Sequence, residues 1–225
     1  MLQSSTLQFL KSLKLHNNKA WFDAHRTQYE QARADFELLV GNVLALMGKF
    51  DASITHLQPK DCTFRINRDV RFSKNKAPYK TNMAMYISAK GKKAMDCAGY
   101  YFHLEPGASF FAGGMWMPMA PQLKLIRQEI DYNLASFKKI VESKKIRETF
   151  GGLEKQDALL TRPPKGYEED NPAIEYLKYK SFICSTPLPD DVLTQPILPK
   201  KIADLGKILY PFIGFLNEAV AQTEE

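Results

Sequence analysis

No uninterrupted apolar run in the chain approaches the roughly 18 residues that a membrane-spanning helix requires, so no membrane role is expected. Its three cysteines, Cys62, Cys97 and Cys184, are an odd number at wide spacing with no C-x-x-C. That pattern argues against a disulfide framework and a zinc ribbon, and reduced thiols in a cytoplasmic compartment are the simplest expectation. The opening M-L-Q-S-S-T-L-Q-F-L-K-S-L-K has neither the long apolar core nor the small-residue cleavage site of a secretory signal. His16, His25, His56 and His103 have no metal-ligand spacing between them, so neither a metal nor another cofactor is expected. The chain also lacks G-x-S-x-G, H-E-x-x-H, a Walker loop and a dinucleotide fingerprint. No general base or nucleophile is nominated, and the question of an enzyme stays open.

What is present is an ordinary globular composition, 44% hydrophobic and 25% charged, with an aromatic share of 12%. Its 225 residues, without repeats or low-complexity tracts, are expected to form a single domain over residues 1–225. Leu7, Leu10 and Leu13 follow helical spacing behind a cap at Ser4 or Ser5, with a helix through Lys11. From a cap at Asn17 or Asn18, the residues Phe22, His25, Tyr29, Ala32, Phe36, Val40, Val43 and Met47 recur at steps of three and four. One long helix ending near Gly48 is predicted. The period then changes. Thr63–Asn67, Met83–Ala89, Gly99–Glu105 and Ser109–Ala112 read as strands, and Ser181–Cys184 is strand-like. Short turns between strands favour an antiparallel arrangement, because no helix fits in the connections. Helices are predicted from about Pro121 to Asn133, from Leu134 to Ser143, up to Gly151–Gly152, and from Lys200 to Ala221 with a kink or restart at Pro211. The segment between Thr161 and Pro199 is too apolar for a free tether and is expected to wrap the fold. The fold class expected is α+β: an antiparallel meander of about four or five strands packed against a long N-terminal helix and C-terminal helices.

The stretch from Cys62 to Thr81 is the most one-sided in charge. It carries Arg65, Arg68, Arg71, Lys74, Lys76 and Lys80 against one carboxylate, Asp69. Strand alternation would turn Phe64 and Ile66 toward the core and Arg65 outward, and S-K-N-K-A-P-Y-K has turn chemistry. Guanidinium forks suit phosphate or carboxylate, lysines add mobile charge, and an anion would relieve the mutual repulsion. The expectation is that Arg65, Arg68 and Arg71 gather around one anion, Asp69 orients an arginine, and Tyr79 stacks on a base or sugar. Two secondary candidates accompany this loop. Gly113–Gly114 precede a helix N-terminus, although glycine pairs also simply let a strand turn. Trp21 and His25 share a helix face, where a histidine is usually a hydrogen-bonded core residue.

Several of these stretches resemble a family of uncharacterised, mainly bacterial and fungal proteins defined as a domain of unknown function. The resemblance is carried by N-N-x-x-W-F-x-x-H-R-x-x-Y (Asn17–Tyr29) and F-R-I-N-R-D-V-R-F-S-K-N-K-A-P-Y-K-T (Phe64–Thr81). It continues in G-G-M-W-M-P with L-x-x-I-R-x-x-I (Gly113–Ile130) and in P-K-G-Y with L-K-Y-K-S-F (Pro164–Phe182). It implies a single-domain protein of this size and carries no established activity, substrate or catalytic residue. The residues themselves support three readings. A phosphate-bearing or other anionic small ligand at the basic loop ranks first, ahead of nucleic acid gripped through its phosphates with Phe72 and Tyr79 as stacking surfaces. In the third, the Arg/Asp network is structural and the protein is an interaction module.

Overall fold

The computed structural model describes residues 1–93, 96–155 and 159–221. In chain order it contains α1 (Ser4–Leu15), α2 (Lys19–Ala24), α3 (Arg26–Met47), a 3-10 turn (Ala52–Ile54), α4 (Pro59–Cys62), β1 (Met83–Ile87), β2 (Gly99–Leu104) and β3 (Phe110–Met115). There follow α5 (Ala120–Tyr132), α6 (Leu134–Val141), α7 (Lys144–Phe150), α8 (Ile174–Leu177), β4 (Phe182–Pro187), α9 (Asp190–Leu193) and α10 (Leu198–Ala221). The four strands form one antiparallel sheet in the order β1-β2-β3-β4. The α+β architecture with N- and C-terminal helices is therefore as the residue periods indicate.

Each strand alternates faces, and the register fixes which residues share one. Met85 pairs with Phe102 and Phe102 with Phe111, while Ile87 pairs with Tyr100. All of these are buried, on the side that receives α3 and α10. Phe36 of α3 stacks on Phe102 at 6.2 Å. The opposite side carries Ala84, Tyr86, Tyr101, His103, Phe110 and Ser185, and most of it stays partly accessible. Burial pushes the Cys62 thiol up to about 11 and that of Cys184 up to about 12, so neither is a thiolate near neutrality.

Three elements depart from the periodicity. The helix expected to run from Asn18 to Gly48 is two, because His25 leaves helical geometry at φ −114, ψ 20. Its ring Nδ1 lies 2.8 Å from the Trp21 carbonyl oxygen and the ring stacks on Trp21 at 4.0 Å, so the side chain competes for the carbonyl that the next turn uses. Thr63–Asn67 is not a strand. It makes the isolated bridges Thr63↔Met85 and Asn67↔Tyr79, and the fourth strand of the sheet is Phe182–Pro187 instead. Third, α10 continues through Pro211 without a break. The segment before β4 does wrap the fold: Arg127 of α5 donates from Nε to Leu177 O at 2.8 Å and from Nη2 to Tyr179 O at 3.1 Å.

Two adjacent glycines on β3 let the layers close. A Cβ on Gly113 would come within 2.7 Å of Leu209 Cδ1 in α10. One on Gly114, whose φ is +132, would sit 1.9 Å from Phe182 O. A leucine methyl can shift and a strand carbonyl cannot. Gly113→Ala is expected to cost about 1–3 kcal/mol by overpacking, and Gly114→Ala more than that, with loss of β4 pairing. Urea denaturation of the two variants checks the order; an equal or smaller loss for Gly114→Ala contradicts it.

Candidate functional site

The basic stretch forms a closed ribbon. Arg68 N donates to Pro78 O at 2.9 Å and Lys80 N to Ile66 O at 2.8 Å, joining the two ends of the loop at a neck. The neck is docked onto the turn between α1 and α2. Asn17 Nδ2 donates to Tyr79 O at 2.9 Å, and Asn17 Oδ1 accepts from Tyr79 N at 3.1 Å, so one amide side chain satisfies both backbone groups of Tyr79. The Tyr79 ring lies on Phe22 with centroids 3.9 Å apart and planes 15° from parallel. The two motifs that stand out in the sequence, around Trp21 and around Arg68, therefore meet at Tyr79.

The three arginines do not gather at one spot. Arg68 turns into its own loop, donating from Nη1 to Ala77 O at 3.0 Å and from Nη2 toward Ser73 Oγ at 3.4 Å. Arg71 is exposed and forked onto Asp69, Nε to Oδ1 at 3.0 Å and Nη2 to Oδ2 at 2.6 Å. Asp69 thus holds an arginine in place, and that pairing keeps its carboxyl below the usual carboxylate range. Arg65 has no hydrogen-bonded or ion-pair partner among the described residues, and its field reaches both Asp69 and Lys80. Lys80 also has no carboxylate partner there. Burial, then the charge of Arg65, pulls its ammonium below the ordinary lysine range. Its Nζ sits 5.4 Å from the centre of the Phe64 ring. At the loop tip, Lys74 is exposed and Lys76 Nζ donates to Val70 O at 3.0 Å.

Two aromatic expectations are corrected. Tyr79, expected to stack on a ligand, is 7% exposed and its face is taken by Phe22. Phe64, expected in the core with Ile66, is 40% exposed; Ile66 alone is buried, because the stretch is not a strand and its two apolar residues do not share a face. The exposed ring is Phe72, at 95%, with the Arg71 guanidinium carbon 5.9 Å from its centre. The secondary candidates lie apart from the arginines or serve packing. Gly113 and Gly114 are on β3, two strands in from the edge strand that continues the ribbon, and accommodate Leu209 and Phe182. Trp21 is stacked on both His16, at 5.8 Å, and His25.

Sequence reasoning missed a polar row on β2. Tyr101, His103 and Glu105 alternate along one face, with Tyr101 Oη 3.0 Å from His103 Nδ1 and His103 Nε2 3.2 Å from Glu105 Oε2. An ionised carboxylate can only accept, so Nε2 is the ring nitrogen that donates to Glu105 when it carries a proton, and Asn82 Nδ2 lies 3.3 Å from the same nitrogen. Lys14 at the end of α1 donates to Glu105 Oε1 at 3.0 Å, and Phe110 stacks on His103 at 4.9 Å. The signal was the period of two in Y-Y-F-H-L-E, legible as a strand but not as a row. Burial pushes the Glu105 carboxyl up, yet hydrogen bonds from Lys14 and His103 outweigh it and hold the pKa below the usual value. Thr81, next to Lys80, also reaches Glu105, at 3.5 Å. Among the described residues no group of three or more His, Cys, Asp or Glu could hold a metal, and no helix is long and apolar enough to cross a membrane.

Residues 5–215 match the family described as "Conserved hypothetical protein (DUF2461)", and the chain belongs to that family. No curated protein and no solved structure matches the chain. The family match spans dock, ribbon and sheet together and brings no ligand or reaction with it.

The Glu105 cluster makes a signed prediction. Its folded pKa is depressed, so its contribution to stability is complete above the unfolded carboxylate pKa and is lost as pH falls through the folded one. Wild type is expected to melt above Glu105→Gln at pH 7, with the gap closing as pH drops below about 4. A gap that is constant from pH 7 to pH 3 contradicts this.

Proposed function

We propose that the protein binds a phosphate-bearing anion at the base of the ribbon, between Arg65 and Lys80, with Lys74 and Lys76 supplying the outer field. The observation that carries this is the uncompensated pair. Two neighbouring cations, one of whose charge helps lower the pKa of the other, have no carboxylate partner among the described residues, and Lys80 is half-buried over a phenyl ring. Holding them there costs stability, and an anion shared between them removes that cost. Arg65 offers a planar fork for two oxygens and Lys80 a point charge. The neck fixes both, since Lys80 N is bonded to Ile66 O, one residue beyond Arg65. Arg68 is the structural member, committed to closing the loop, and Arg71 is already matched by Asp69.

Both pKa values are lowered, so both groups make stability rise with pH, but the charged form of Glu105 stabilises the fold whereas that of Lys80 opposes it. A lysine whose folded pKa is lowered destabilises the fold while it is charged, and the cost is relieved as pH rises through the folded pKa. Lys80→Met and Arg65→Ala are therefore expected to melt no lower than wild type while losing the upward shift in Tm that inorganic phosphate or a nucleoside monophosphate produces. Arg71→Ala should retain that shift. A thermal-shift titration with these anions at pH 7 reads both. Wild type without any shift, or Lys80→Met and Arg65→Ala shifting as wild type does, overturns the reading.

A further inference from the structure

We infer that the anion is one phosphate of a single-stranded nucleic acid, whose neighbouring base stacks on Phe72 at the ribbon tip. This rests on the anion reading above and extends it along the loop. The ribbon carries two couples of an accessible ring and a cation: Phe64 with Lys80 at its base, and Phe72 with Arg71 at its tip. A single small anion uses the first couple and leaves the second without a purpose. A strand uses both, because each nucleotide brings one phosphate and one flat π face.

The tip is built to keep Phe72 out. Arg68 closes the loop beneath it through Ala77 O and Ser73 Oγ, Lys76 Nζ holds Val70 O, and Asn75 Oδ1 accepts from Ala77 N at 2.9 Å. With the backbone tied in this way the phenyl ring projects into solvent, so little ordering is required when a base covers it. Asp69 fixes the Arg71 guanidinium next to the ring, where it can contact the base or sugar edge. A duplex is disfavoured because its base faces are already stacked and exposing one costs unstacking energy. A bilayer is disfavoured because the ring at the tip is flanked by the Asp69 carboxylate and the polar Ser73 and Asn75. Among the described residues Arg65, Arg68, Lys74, Lys76 and Lys80 have no carboxylate partner; Arg68 is taken up by loop oxygens, which leaves the other four for a strand. For a single strand they set a log–log salt slope between about −2 and −3.

The test is fluorescence anisotropy of the full chain with a labelled oligo-dT 12-mer. Phosphate-induced thermal shifts and co-sedimentation with phosphatidylserine/phosphatidylcholine vesicles are measured in parallel. Wild type is expected to bind the single strand with that salt slope and to prefer it to a duplex of equal length. Phe72→Ala should weaken oligo-dT binding about 5- to 150-fold while leaving the phosphate-induced shift unchanged. Oligonucleotide binding unaffected by Phe72→Ala, equal affinity for the duplex, or a preference for vesicles overturns the strand assignment. A phosphate shift without oligonucleotide binding also overturns it and leaves the anion reading standing. Loss of the phosphate shift in wild type removes both.

Discussion

The contact on which the candidate site depends is the seating of Tyr79 between Asn17 and Phe22. A loop of this length and charge, left to itself, would be expelled from the fold by self-repulsion and by the conformational entropy of ordering it. One amide side chain satisfying both backbone groups of Tyr79, with an aromatic ring laid flat on another, supplies directional and apolar attraction at one residue. The neck hydrogen bonds of Arg68 and Lys80 flank that residue, so the dock and the closure act on the same backbone. It also explains why a helix–turn motif near the N-terminus and a basic loop far along the chain belong to one structure.

Once the neck is seated, the charges divide according to where the ribbon points them. Arg68 faces inward and serves as a clasp, its donors taken by loop oxygens. Arg71 faces outward with its own carboxylate. Arg65 and Lys80 stay at the base, near each other and without a countercharge among the described residues. Of the two, Lys80 is held charged against burial and against the field of Arg65, which is what motivates the anion reading. The Tyr101–His103–Glu105 row lies beside it through Thr81 and Asn82 and ties the sheet to α1 by Lys14, so the platform behind the ribbon is itself pinned.

Much of the scaffold was legible because it follows from period alone. The stripe from Phe36 to Met47 is buried as helical spacing requires, and the short apolar run M-A-M-Y-I and the turn-bounded G-Y-Y-F-H-L were legible as β1 and β2. The misreadings share a cause, which is a tertiary partner overriding a local pattern. His25 looked like one more apolar-stripe position, and the helix breaks there because its ring takes the Trp21 carbonyl and face. Thr63–Asn67 alternates like a strand but meets β1 and Tyr79 only at single bridges. Tyr79, in turn chemistry between a proline and a lysine, looked like an exposed ring, and no local rule reveals that Phe22 waits beneath it. Arg65, Arg68 and Arg71 are equivalent in sequence at steps of three. Their separation into free cation, clasp and paired cation depends on loop closure, which spacing does not encode.

The most direct measurement is amide hydrogen exchange across the ribbon neck in wild type and in Asn17→Ala. If the dock is what orders the ribbon, the Arg68, Tyr79 and Lys80 amides are protected in wild type and lose protection together in the variant. The amides pairing β2 with β3 should keep theirs. Neck amides that exchange freely in wild type, or that stay protected without the Asn17 side chain, would contradict the account.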